Sequence, residues 1–146
     1  SPGATDALYA AAESARIPWI PAVASASDIM RGLDRGHRRF KFFPAEAAGG
    51  TGALRAFAGP FPQLRFCPTG GIDARSAPDF LALDNVLTVG GSWMVPSAAL
   101  RARDWDAIES ARKISSAYSA RMTMPPTNPS ASVVAEKMKS VCFSGT

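Results

Sequence analysis

The run "FKFFPAE", residues 40–46, sets one lysine among phenylalanines. Successive side chains of an extended strand face opposite sides, so Phe40 and Phe42 share one face while Lys41 and Phe43 share the other. If the Phe40/Phe42 face packs under helices, Lys41 points to the far side of the sheet, which in a closed barrel is the interior. Burial there disfavours the ammonium, lowers the pKa and makes neutral amine available near neutral pH. Such an amine attacks a ketone to form a Schiff base, whose iminium is an electron sink for carbon–carbon cleavage. The residue pattern by itself favours a plainer role, a charge on an exposed edge strand that discourages edge-to-edge association.

Two glycine pairs come next. "PTGG" (Pro68–Gly71) and "VGGS" (Val89–Ser92) each close a β-like run and precede a helix-like stretch. Unpaired backbone N–H groups collect at such junctions, and glycine lets an anion approach them closely. In (β/α)8 barrels a phosphate site commonly forms from the loops after the last two strands, and these are the last two strand-like runs of the chain. A phosphate site and a pair of tight turns are the two readings. Cys67 and Cys142 have no C-x-x-C or histidine-rich spacing around them, so thiols are expected and no metal site is implied. The net charge of +4 is spread along the chain and is densest at "RGHRR", residues 35–39. With no aromatic-interleaved basic stripe beside it, that run reads as a solvated turn and helix end, not a nucleic-acid surface.

The elements that must position these residues follow a simple repeat. β-like runs at 17–23, 40–44, 64–71 and 86–92 start roughly 20–25 residues apart, the length of a βα unit with short loops. Between them lie "SASDIMRGLDRG" with Ser25 or Ser27 as N-cap, "GGTGALRAFAG", and "DARSAPDFLAL" with Asp73 placed to cap. The pattern predicts α/β architecture with a parallel sheet. A helix over Thr5–Ala15 comes first with no strand ahead of it, so the chain is expected to enter in the middle of a βα unit. An amphipathic helix is expected from Asp104, with Trp105, Ile108, Ala111 and Ile114 on its apolar stripe. "RMTMPPTNPSAS" then reads as a linker and "VVAEKMKSVCF" as a short helix, giving a domain at 1–119 and a tail of unassigned role at 120–146. With 146 residues, 47% apolar and 19% charged, the composition suits one globular core. No run approaches the roughly 20 apolar residues of a membrane helix, and the first residues lack the features of a signal peptide, so a cytoplasmic protein without membrane contact is expected.

"FKFFPAEAAGG", "LRFCPTGGI" and "VGGSWMVP", in this order and at these separations, resemble the 2-keto-3-deoxy-6-phosphogluconate (KDPG) aldolases. These are the class I aldolases of the Entner–Doudoroff pathway, which often also cleave 4-hydroxy-2-oxoglutarate (KHG). The resemblance runs from Ser1 to about Ala117. It implies that Lys41 forms the Schiff base with pyruvate or the keto acid, that Phe43 packs beside the substrate, and that Thr69 hydrogen-bonds the pyruvyl part. It further implies that Gly70, Gly71, Gly90, Gly91 and Ser92 hold the phosphate of the three-carbon portion. Family members are homotrimers of (β/α)8 barrels that need no metal or other cofactor.

"SPG" resembles the segment leaving the family's fourth strand, so the chain is expected to be the C-terminal part of such a barrel, about four βα units without the N-terminal strands, followed by an irregular tail. The family's general-base glutamate and carboxylate-binding arginine belong to an E-x-x-x-R motif that falls outside these units. Glu46 is not the family's base and reads as a helix-entry or loop hydrogen-bonding residue. Where family members tend to have "IPGISTVSE", this chain has "IPAVASASD", with Ala22 and Ala24 near the mouth of the site. The expected reaction is cleavage of KDPG to pyruvate and glyceraldehyde 3-phosphate, and of KHG. A non-catalytic phosphate-binding half-barrel and a self-associating fragment with an open sheet edge are the alternatives.

Overall fold

In the computed structural model, residues 1–111 are described. Three strands, β1 (Ala22–Val23), β2 (Arg39–Phe42) and β3 (Arg65–Pro68), pair in parallel in that order. Helix α1 (Asp6–Ala15) precedes β1, α2 (Ala26–Asp34) links β1 to β2, and α3 (Gly50–Ala58) links β2 to β3. After β3 come α4 (Ala77–Leu81) and α5 (Ser97–Ala102). The expected α/β arrangement with parallel strands is therefore present. The boundary at 119–120, the tail beyond it, Ile114 and Cys142 lie outside the described residues.

Local chemistry explains where the helices begin. Thr5 caps α1 through its side-chain oxygen, which accepts from the Leu8 amide at 3.3 Å. For α2 the structure selects Ser25 over Ser27. The Ser25 hydroxyl accepts from the Asp28 amide, and the Asp28 carboxylate accepts from the Ser25 amide at 3.0 Å, a reciprocal capping box. Asp73 accepts from the amides of Arg75 and Ser76 at 2.8 and 2.9 Å. It caps a turn, and α4 starts four residues later, at Ala77, with a proline in its first turn. Asp104 accepts from the Ala107 amide at 2.9 Å and opens the expected helix, whose described part runs over 105–111. Trp105, expected on its apolar stripe, is 61% exposed.

All four β-like runs yield less strand than the sequence predicts: 40–44 gives Arg39–Phe42, 64–71 gives Arg65–Pro68, and the first and last runs fall shortest. Of residues 17–23 only Ala22 and Val23 form a strand, because Pro18 and Pro21 have no N–H to give to a ladder. The Pro21 carbonyl still accepts from the Lys41 amide at 2.9 Å. The run at 86–92 lies beside β3 but touches it only through isolated bridges, Phe66 with Val86 and Thr69 with Gly90. Its hydrogen bonds to β3, Leu87 N–H to the Phe66 carbonyl and Gly90 N–H to that of Pro68, are too widely spaced for a continuous ladder.

The core fills the helix-facing side of the sheet. Phe40, Phe42, Phe66 and Val23 pack there with Ile29, Leu54, Leu64 and Phe80, all at most 2% exposed. Asn85 is the buried polar side chain among the described residues, and its amide donates to the Leu54 carbonyl at 2.8 Å. Since the Asn85 carbonyl accepts from the Phe66 amide at 2.7 Å, this residue ties α3 to β3. At the other end of the sheet, Arg35 pairs with Asp6 at 3.2 Å and Glu13 at 3.6 Å while lying over the Tyr9 ring, 4.9 Å from its centre. One arginine of the "RGHRR" run thus ties α2 to α1, and His37 packs among Tyr9, Trp19 and Phe40.

Candidate active site

The face of β2 opposite the core carries Lys41. Phe40 and Phe42 on either side of it are 0% exposed, whereas Lys41 and Phe43 are half-buried, as strand alternation requires. Across the ladder, Lys41 is in register with Ala22 on β1 and Cys67 on β3. Its Nζ sits 4.7 Å from the centre of the Phe43 ring, within the range of a cation–π contact. The lysine and the phenylalanine that share a face in the sequence therefore meet in space.

Beyond β2 the chain turns at Phe43 and Pro44 and is stitched to the end of β3. The Ala45 amide donates to the Thr69 carbonyl at 2.8 Å, and the Glu46 amide to the Gly70 carbonyl at 3.1 Å. Gly70 and Gly71 both have positive φ, 105° and 80°, a conformation that costs glycine little and other residues much. Their missing side chains are also used as space. A Cβ on Gly70 would stand 3.2 Å from the Phe43 ring, and one on Gly71 would stand 2.7 Å from the Glu46 Cβ.

The second glycine pair shows the same economy. Where Gly90 would carry a Cβ lies the Thr69 side chain, and the Trp93 ring occupies the corresponding place at Gly91. The Gly90 N–H is taken up by the Pro68 carbonyl at 2.9 Å. Among the described residues, the N–H groups of Gly70, Gly71 and Gly91 donate to no other group. Ser92 opens a short 3-10 turn, Ser92–Met94, directly after them.

The structure thus links Lys41, Phe43, Thr69, Gly70 and Gly90 through direct neighbours at the C-terminal ends of β2 and β3. Gly71 joins through Glu46; Gly91 and Ser92 follow Gly90 along the chain. Glu46 is exposed and lines a shallow hollow with Gly71, Asp73, Arg75, Ser76 and Asp79. In that hollow, hydrogen bonds from the Ser76 and Arg75 amides hold the Asp73 carboxyl below its ordinary value. Sequence reasoning did not find the seating of Glu46 on Gly71 or of Trp93 on Gly91. The spacing "GGSW" is the only local signal for the second, and none exists for the first.

Comparisons with known proteins agree with this geometry. Residues 1–111 match the family model for the KDPG and KHG aldolases. The KHG/KDPG aldolase of Escherichia coli K12 is 56% identical over 108 residues, which is 74% of this chain and 51% of that protein. The 2-dehydro-3-deoxy-phosphogluconate aldolase of Pseudomonas aeruginosa is 51% identical over 109 residues, 75% of this chain and 50% of that protein. A crystal structure of KDPG aldolase from Legionella pneumophila, with pyruvate captured at low pH as a covalent carbinolamine intermediate, superposes with a TM-score of 0.74 at 49% identity. The match covers 79% of this chain and 56% of that one. The Zymomonas mobilis ZM4 enzyme, solved with 3-phosphoglycerate, gives a TM-score of 0.69 at 45% identity, over 79% of this chain and 54% of that one. The chain spans about half the length of the relatives it matches. With its parallel strands, its half-buried lysine and its two glycine pairs in the family's order, the chain belongs to the KDPG and KHG aldolase family.

Proposed function

We propose that the chain carries the Schiff-base machinery of a class I aldolase that cleaves KDPG to pyruvate and glyceraldehyde 3-phosphate, and also cleaves KHG. The observation that supports this most directly is Lys41 itself: half-buried, on the sheet face opposite the core, against Phe43 and beside the ends of the strands where the glycine pairs gather. In this reading the Lys41 amine adds to the C2 carbonyl of the keto acid and water leaves to give the iminium. A base takes the C4 hydroxyl proton as the C3–C4 bond breaks, and its electron pair moves into the iminium to leave an enamine and the aldehyde. Protonation of the enamine at C3 and hydrolysis then release pyruvate and regenerate Lys41.

Phe43 and Thr69 flank the pyruvyl part, Thr69 through its hydroxyl. The N–H groups of Gly70, Gly71 and Gly91, with Ser92, hold the phosphate, acting without a lysine or arginine in either loop. The base and the carboxylate-binding arginine come from the family's E-x-x-x-R motif. These βα units form the C-terminal half of a (β/α)8 barrel, and the active protein is a cytoplasmic homotrimer.

Borohydride trapping with pyruvate, followed by peptide mapping, tests the assignment. A stable adduct on the peptide carrying Lys41, abolished by Lys41→Ala and by Lys41→Arg, is expected, because a guanidinium cannot supply a neutral amine. An adduct that survives Lys41→Ala overturns it. Retained 3-phosphoglycerate binding with no adduct at all would favour the non-catalytic phosphate-binding reading.

A further inference from the structure

We infer that Gly90 is a positioning residue for the Thr69 hydroxyl and not a phosphate ligand, an inference that rests on the aldolase reading for its catalytic consequence. Its only backbone donor is already engaged, since the Gly90 N–H points to the Pro68 carbonyl at 2.9 Å. What Gly90 offers instead is space. The three heavy atoms nearest to a Cβ at position 90 all belong to the Thr69 side chain: Oγ1 at 2.6 Å, Cγ2 at 3.2 Å and Cβ at 3.4 Å. Thr69 is thus seated on the Gly90 backbone with its hydroxyl nearest.

Thr69 has little freedom to accommodate a methyl group there. Its N–H donates to the Phe42 carbonyl at 2.9 Å, and its carbonyl accepts from the Ala45 amide at 2.8 Å, so its backbone is pinned on both sides. The branch at Cβ also makes χ1 stiff. The bridge to Gly90 holds the two residues side by side. A methyl at position 90 can therefore be relieved only by turning the hydroxyl away from the direction it now has. Gly90 does not have the positive φ of Gly70 and Gly71, so alanine meets no left-handed strain there, and its lower unfolded-state entropy acts alike with Thr69 present or absent and cancels in a double-mutant cycle.

The test is a double-mutant cycle of Gly90→Ala with Thr69→Ala in the full chain, read in two ways. In urea unfolding, Gly90→Ala should lower the midpoint in the parent and leave it unchanged or slightly raised in the Thr69→Ala background. In pyruvate trapping, Gly90→Ala should slow adduct formation about tenfold, the weight of one lost hydrogen bond, and add nothing to Thr69→Ala. In turnover by the protein that also carries the E-x-x-x-R motif, kcat/KM for KDPG and for the phosphate-free KHG should fall by the same factor. Additive effects in the unfolding cycle overturn the inference, as does a rise in KM confined to the phosphorylated substrate. A parent chain that traps no pyruvate counts against the aldolase reading, and the unfolding cycle then decides whether Thr69 is seated on Gly90.

Discussion

Gly32 and Gly52 both lie within helices, and the same substitution at the two positions should have opposite effects. In a helix interior, Gly→Ala gains roughly 0.5–1 kcal/mol because alanine surrenders less backbone freedom on folding. Gly52, in the first turn of α3, has no tertiary neighbour within 4 Å of a new Cβ, so a gain toward the lower end of that range is realised. Gly32 in α2 is buried against Phe40 and Tyr9. A Cβ there would stand 2.8 Å from Phe40 Cζ, with Cε1 nearer still, and 3.0 Å from Tyr9 Oη. An ordinary carbon–carbon contact is about 3.5–4.0 Å.

The Phe40 ring has nowhere to retreat, being 0% exposed with His37 6.4 Å and Phe66 6.3 Å away between ring centres. Overpacking costs about 1–3 kcal/mol, and with contacts of 2.8 and 3.0 Å against confined rings the cost falls in the upper part of that range, so that after the gain in propensity Gly32→Ala is left destabilised by about 1–2 kcal/mol. Urea unfolding of the two single variants beside the parent measures both signs, with a lower midpoint at unchanged slope expected for Gly32→Ala and a higher one for Gly52→Ala. A neutral or stabilised Gly32→Ala would refute the claim that Phe40 is held by its neighbours.

Three further outcomes follow from the fold and the site. Burial pushes the Asp28 carboxyl up, but hydrogen bonds from the Ser25 hydroxyl and the Ala24 and Ser25 amides, with the Arg31 charge, outweigh it and leave the pKa lowered. A carboxyl with a lower pKa folded than unfolded contributes stability that is complete above its unfolded pKa and is lost as pH falls through the folded one. Unfolding midpoints below about pH 4 should therefore drop less steeply in Asp28→Asn than in the parent, and parallel curves would contradict the capping box. Asn85→Ala should destabilise by roughly 1–2 kcal/mol through loss of the bond to the Leu54 carbonyl, and Asn85→Leu, which keeps bulk without a donor, should recover little of it in calorimetry. Under the proposed function, Gly91→Val would drive the Trp93 ring from its place and should raise KM for KDPG far more than it slows pyruvate trapping; equal losses would argue against a separate phosphate subsite.

Much of this was legible in the chain because it depends on residues close in sequence. The alternation of Phe40, Lys41, Phe42 and Phe43 already sets the lysine on the face opposite Phe40 and Phe42, since side-chain direction in a strand is set by the backbone alone, but only the packed helices show which face is the core and only the sheet order puts β2 in the middle, not at an edge. Ser25, Asp73 and Asp104 announce helix starts or turns through bonds to amides two or three residues away, and the lysine motif followed by the two glycine motifs, in order and spacing, carried the family resemblance. The tertiary structure decided what depends on distant partners. The run at 86–92 makes bridges in place of a ladder, an outcome fixed by which donors meet acceptors on a neighbouring strand, whereas the two-residue β1 follows from the missing N–H groups of the "IPWIP" prolines, a signal the chain itself carried. Arg35 finds Asp6 and Glu13, and Asn85 finds Leu54 across 31 positions, pairings for which no local pattern exists. The glycines make the same point. Their freedom at positive φ is a local property, but which side chain lies where a Cβ would be (Phe43 at Gly70, Glu46 at Gly71, Thr69 at Gly90) is settled only when the ends of separate strands are brought together.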